Sequence, residues 1–302
     1  MHRILSPRAG KYLFVASAAF SAGCLTTAAV FDYQSHPPIT AARPTLPTLL
    51  DSPDFKGPGH NTFSSQISLP VPVAQVGLPS VESVKVLPGF FCLYDRRGRI
   101  PRWTLEHLTN KNFNGDDKAL VDRGGFVFVE DMGEPPEFRS TNLDYARSGF
   151  DRGHMAAAGN NKFNAESMEK TFILSNIAPQ VGYGFNRGIW NDLEKKIRAM
   201  ARQSANVVVV TGPLFLPSSV LSRRGNRQVI YEVIGENNVA VPTHFFKAVA
   251  VQSTPQGPWK TYAWVIPNQA FAEGTKVNTF SVPLKDVERA AGLIIFPNLY
   301  KP

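Results

Sequence analysis

The chain has 302 residues, 43% of them apolar and 19% charged, which supports a buried core and excludes a disordered polymer. Its formal charge is +8, and residues 81–302 carry 27 Lys/Arg against 21 Asp/Glu, so most of the basic excess lies in the body and favours polyanionic partners. Two cysteines, Cys24 and Cys92, exclude a disulfide framework and leave the fold to its core.

Residues 1–31 read as an address. Arg3, Arg8 and Lys11 precede an apolar stretch from Tyr12 to Phe31, with no acid before Asp32. A secretory signal, a mitochondrial presequence and a membrane anchor of about 20 apolar residues all fit. Residues 32–75 contain Pro37, Pro38, Pro44, Pro47, Pro53, Pro58, Pro70 and Pro72, a density that blocks helix and predicts a disordered spacer. The folded body is expected over 76–302.

Within the body, Phe90–Tyr94 and Trp103–Leu105 read as strands of a hairpin around the turn-rich Asp95–Pro101. Gly125–Val129 and Thr171–Asn176 are further strand candidates. Ile189, Leu193, Ile197 and Met200 recur at helical spacing and predict a helix over Asn186–Gln203. Val207–Val210 is a buried strand ended by a loop at Thr211-Gly212-Pro213. Val229–Ile234, Val241–Val251 and Lys260–Ile266 continue a β-rich half, and Asp286–Gly292 is a short helix. Strands outnumber helices without regular alternation, which predicts an α+β fold.

Three histidines fall in the body: His107, His154 and His244. His107 and His244 have apolar neighbours and read as hydrogen-bonded structural residues. His154 follows Asp151-Arg152-Gly153 and precedes a run of small residues. On an extended segment Arg152 and His154 project to one face, where one can hold a phosphate and the other handle a proton. A buried structural histidine beside an Asp–Arg pair is the competing reading. Farther on, Asn186, Trp190, Glu194 and Arg198 recur every four residues and form a helical stripe beside the apolar one. An amide oxygen plus a carboxylate suits Mg²⁺, which keeps most of its waters. A solvated polar face reads equally from the same spacing.

Ordered blocks join these clusters. They are Asp95 with Trp103 and Glu106-His107-Leu108; Thr141-Asn142-x-Asp144-Tyr145-x-x-Ser148-Gly149-Phe150-Asp151-Arg152-Gly153-His154; Leu174-Ser175-Asn176 with Pro179-Gln180; and Phe185-Asn186-Arg187-x-x-Trp190-Asn191-x-Leu193-Glu194. Thr211-Gly212-Pro213-Leu214, the run Val239 to Lys247, Val282-Pro283 and Glu288-Arg289-x-x-Gly292-Leu293 follow. Over residues 76–296 the chain resembles the DNA/RNA non-specific endonucleases with a ββα-metal site, in particular their mitochondrial endonuclease G branch.

The resemblance implies mixed or antiparallel sheets flanked by helices, and an endonuclease that hydrolyses DNA and RNA to 5′-phosphate and 3′-hydroxyl ends. It implies Mg²⁺, with Mn²⁺ as a substitute, bound directly by Asn186 and through water by Glu194. His154 is implied as general base, Arg152, Arg198 and Arg123 as phosphate or transition-state contacts, and Asn176 as support for the site. Asp151 is implied to orient its neighbours. A homodimer is implied, as is a mitochondrial location in the intermembrane space or at the inner membrane, with the N-terminal segment cleaved or acting as a tether. Roles in mitochondrial nucleic-acid degradation and apoptotic DNA fragmentation follow. A secreted nuclease of the same chemistry and a catalytically silent nucleic-acid-binding protein are the alternatives. The sequence departs from the pattern at Met155, Asn161 and Ile173, none of which removes a proposed catalytic group.

Overall fold

A computed structural model describes residues 84–113 and 121–300. The address segment and the Pro-rich spacer lie outside these residues.

The longest apolar β-branched runs build the centre. Strands β1 (Lys85–Leu87), β2 (Phe90–Asp95), β3 (Ile100–Leu108), β6 (Asn206–Leu214), β9 (His244–Gln252) and β10 (Trp259–Pro267) form one sheet in the order β1-β2-β3-β6-β9-β10. Every neighbouring pair is antiparallel. β6 and β9 are apolar on both sides because both faces of the sheet are covered. Val207, Val209, Phe245, Val249 and Trp264 face one core; Val210, Phe246, Ala248, Ala250 and Val265 face the other. The second core is closed by helix α4 (Leu284–Ala291), which ends on left-handed Gly292.

The first core carries a smaller layer. Strands β4 (Phe150–His154) and β5 (Ile177–Val181) form an antiparallel ribbon. It is flanked by helices α1 (Asn142–Tyr145), α2 (Ala165–Thr171) and α3 (Asn191–Arg202). α3 packs Leu193, Ile197 and Ala201, all buried, against the sheet, and each large side chain contributes roughly 1.5–3 kcal/mol by leaving water. The two-residue strands β7 (Val233–Ile234) and β8 (Val239–Ala240) pair in a separate hairpin.

Several boundaries differ from the sequence expectations, each for a local reason. Thr211-Gly212-Pro213 continues β6 instead of ending it, pairing with Lys247, Phe246 and Phe245. β3 pairs with β6 only as far as Thr211, so Pro213 lies on a free edge where its missing N–H costs nothing. Gly125–Val129 is not a sheet strand: Arg123–Gly125 is a 3₁₀ turn, and Val129 makes a single bridge to Ile173. Thr171–Asn176 is the end of α2 plus a 3₁₀ turn, because the Asn176 side chain takes up the backbone carbonyls of Thr171 and Ala156. In Val229–Ile234 only the last two residues pair, and Val229 and Ile230 are exposed. The helix expected over 186–203 is broken. Gly182–Trp190 is a kinked π-type segment with non-helical Tyr183, Gly184 and Gly188, and the regular helix starts at Asn191.

Candidate active site

Along β4 the alternation of an extended strand puts Arg152 and His154 on one side of the ribbon and Asp151 and Gly153 on the other. Gly153 is required there. The Gln180 side chain of β5 occupies the space a Cβ would fill.

His154 ends the strand, 7% exposed. Its ring meets Phe172 edge-on at 4.9 Å and Phe128 at 5.3 Å, and its Nε2 has no hydrogen-bond partner. Burial, then the Arg123 charge, drops the imidazole to about 3, so it is neutral at physiological pH. Arg123, exposed, lies with its guanidinium 5.6 Å from the Phe172 ring. It therefore shares that aromatic platform with His154. Arg152 stacks on Phe128 and Tyr145 at 5.5 and 5.6 Å and donates to the Asn142 carbonyl at 3.1 Å.

The second half of the site comes from the kinked segment and α3. Asn186 Nδ2 donates to Asp151 Oδ2 at 2.9 Å, and Arg187 Nε stands 3.5 Å from the same oxygen. Because an amide is planar, this bond fixes Asn186 Oδ1 on the opposite side. Asn186 and Glu194 do not share one helix, since the break at Gly188 lies between them. Trp190 is no member of a polar stripe; it is 1% exposed in the core. Glu194 and Arg198 do share α3, with Arg198 Nη1 at 3.8 Å from Glu194 Oε2, each side chain 15% exposed. Arg198 also donates to Asn160 Oδ1 at 3.4 Å.

Asn176 is fully buried. Its amide donates to the carbonyls of Ala156 and Thr171 and accepts from the Ala156 amide at 2.9 Å. Its part is to hold the chain just after His154. His107 bonds Asn206 at 2.9 Å on the surface, and His244 bonds Thr243 at 3.0 Å; neither approaches this cluster through a contact.

Beneath the site lies a polar row on which the sequence analysis placed no function. Thr104, Thr211 and Lys247 are register neighbours on β3, β6 and β9, and Glu106 is two residues along from Thr104. All four are buried. Lys247 Nζ donates to Thr211 Oγ1 at 2.8 Å and to the Met155 carbonyl at 3.3 Å, and lies 4.8 Å from the Trp190 ring centre. Glu106 Oε1 accepts from Asn160 Nδ2 at 3.1 Å. Burial raises the Glu106 carboxyl to about 7, opposed first by the Lys247 charge. A charge inside Phe245-Phe246-Lys247-Ala248 was the available signal: a lysine amid apolar strand residues is buried with a partner.

Among the described residues no group of three or more His, Cys, Asp or Glu can enclose a metal. The donor set instead offers one amide oxygen pinned by Asp151 and one partly exposed carboxylate. That fits a hard, hydrated divalent cation, which takes only one or two protein contacts.

Comparison with known proteins gives a matching answer. A family model described as DNA/RNA non-specific endonuclease matches residues 70–301. The chain belongs to this family. Endonuclease G, mitochondrial, of Caenorhabditis elegans is 43% identical over 226 residues, covering 74% of this chain and 71% of that protein. The Homo sapiens protein of the same name is 41% identical over 227 residues, covering 75% and 74%. Nuclease C1 of Cunninghamella echinulata is 47% identical over 208 residues, covering 68% and 79%. A crystal structure of an EndoG/EndoGI complex aligns with a TM-score of 0.69 at 43% identity, covering 78% of this chain and 95% of that one. The chain is therefore a metal-dependent non-specific endonuclease with the α+β architecture of endonuclease G, acting on nucleic acid.

Proposed function

We propose that the protein is a Mg²⁺-dependent, sugar-non-specific endonuclease that cleaves DNA and RNA with His154 as its general base. The observation that carries this reading is the unpartnered, neutral Nε2 of His154 on one ribbon strand with Asp151, the residue that pins Asn186.

Asn186 Oδ1 would be the direct ligand for the cation, and Glu194 would hold one of its waters. When bound, the cation neutralises the phosphate and stabilises charge on the leaving oxygen. His154 Nε2 takes a proton from the attacking water as the water oxygen bonds to phosphorus. The P–O3′ bond breaks, and the 3′-oxygen takes a proton from solvent. An anionic phosphate beside the imidazole favours its protonated form, so the base strengthens as negative charge develops. Arg123, Arg152 and Arg198 meet that charge from three elements. The ribose 2′-hydroxyl has no part, so both sugars serve, and the products are 5′-phosphate and 3′-hydroxyl ends.

The relatives named mitochondrial endonuclease G support a mitochondrial setting, where the basic, acid-free residues 1–31 act as targeting segment or tether. There the enzyme degrades mitochondrial nucleic acid as a homodimer and, on release, fragments nuclear DNA in apoptosis. A secreted enzyme of the same chemistry is the second reading, since residues 1–31 also fit a secretory signal. The test is plasmid nicking and RNA degradation by the purified chain with Mg²⁺, with EDTA, and after His154→Ala. Cleavage that survives both EDTA and the substitution overturns the mechanism. The N-terminal residue of the mature protein, with cell fractionation, decides between the two settings.

A further inference from the structure

Arg198 is part-buried on α3, and the hydrogen bond its guanidinium makes reaches back to Asn160, in the turn that follows the catalytic strand. An asparagine amide can present oxygen or nitrogen to a neighbour, and only oxygen accepts from a guanidinium. What sets its direction is on the far side. Asn160 Nδ2 donates to Glu106 Oε1 at 3.1 Å, which leaves the amide oxygen on the other side. Glu106 thus turns the Asn160 oxygen toward Arg198.

Glu106 is costly where it stands. It is 1% exposed on the apolar face of β3, its Oε2 has no partner, and Leu108 occupies the next inward position. An apolar residue of similar volume would suit the core better. The Lys247 charge, set in the same row of the sheet, is the first influence favouring its ionised form. Lys247 in turn holds the carbonyl of Met155, next to His154. A buried carboxyl that leads by two hydrogen bonds to a phosphate-binding arginine points to a role in the site.

We propose that Glu106 and Asn160 are positioning residues that fix the Arg198 guanidinium for the phosphate. The proposal rests on Arg198 acting in phosphodiester cleavage as described above.

The experiment is a double-mutant cycle in the full chain: Asn160→Ala, Arg198→Ala and the double variant. kcat and KM are measured on plasmid DNA at saturating Mg²⁺, with thermal melts of each protein. Asn160→Ala is expected to lower kcat by about 10–100-fold, the range for residues that orient catalytic groups. On the Arg198→Ala background it should cost less than about 2-fold more. A second cycle with Glu106→Gln covers an Asn160 variant that does not fold. Glu106→Gln keeps the side-chain shape and an acceptor, so its loss should be smaller than that of Glu106→Leu and should likewise vanish without Arg198. Losses that multiply on the Arg198→Ala background overturn the proposal, as does wild-type kcat in Asn160→Ala. If Arg198→Ala itself leaves kcat unchanged, the role given to Arg198 fails first and the positioning role falls with it.

Discussion

Asn186 Nδ2 donates to Asp151 Oδ2 at 2.9 Å, a bond that ties the kinked segment to the strand carrying His154. The oxygen proposed as metal ligand is thereby aimed by a residue three positions from the proposed base, and the two halves of the site share one fastening.

Replacing Asp151 should therefore act through the metal. Asp151→Ala is expected to raise the Mg²⁺ concentration needed for half-maximal activity by about 10–100-fold, with activity recovering at high metal. An Mg²⁺ titration of cleavage checks this; an unchanged midpoint with reduced kcat contradicts it.

His154→Ala should behave in the opposite way. Loss of the general base is expected to lower kcat by about 10²–10⁴-fold and leave the Mg²⁺ midpoint in place. Binding of a fluorescent oligonucleotide should also be retained, since His154 makes no charge contact with phosphate in its neutral form. Anisotropy and single-turnover cleavage on the same sample separate the two effects.

The contribution of the two buried histidines to stability should rise with pH between about 4.5 and 6.5. Burial holds His154 at about 3 and His244 at about 4 in the folded chain, while both return to about 6.5 on unfolding. Their contribution is complete above 6.5 and is lost as pH falls toward the folded values. Glu106, raised to about 7, has the opposite sign: its contribution is present below about 4.5 and is lost as pH rises through 7. Glu194, also raised by burial, acts in the same direction as Glu106, so the histidine contribution is read as the difference in pH slope between wild type and variant. His154→Asn should flatten the slope in calorimetric melts; an unaltered slope counts against the buried neutral ring.

Lys247→Met should destabilise the fold by about 3–5 kcal/mol, because it leaves buried carboxylates without their cation. Adding Glu106→Gln should recover much of that loss. Denaturant melts of the single and double variants test the pairing, and additive losses would refute it.

Much of the site was legible because its residues keep short-range patterns. Arg152 and His154 fall two apart on a strand, and their common side followed from that spacing alone. Glu194 and Arg198 fall four apart on a real helix turn. The stripe failed at Asn186, since Gly184 and Gly188 break the helix and a four-residue period says nothing across a kink. Strand placement failed where apolar runs are not buried, as at Val229 and Ile230, or where a side chain substitutes for a ladder, as Asn176 does. Glu106, Asn160 and Lys247 lie up to 141 positions apart along the chain, and only the register of β3, β6 and β9 brings the first and last together.

That register has a consequence for the life of the molecule. The groups assigned to the chemistry arrive from β4, the kinked segment and α3, and the ammonium beneath them is on β9, later in the chain. A chain still emerging from the ribosome, or threading unfolded through a membrane pore, holds every catalytic side chain except a place to put them. Closure of the sheet is what brings these groups to one place, and an unfolded chain leaves them scattered along its length.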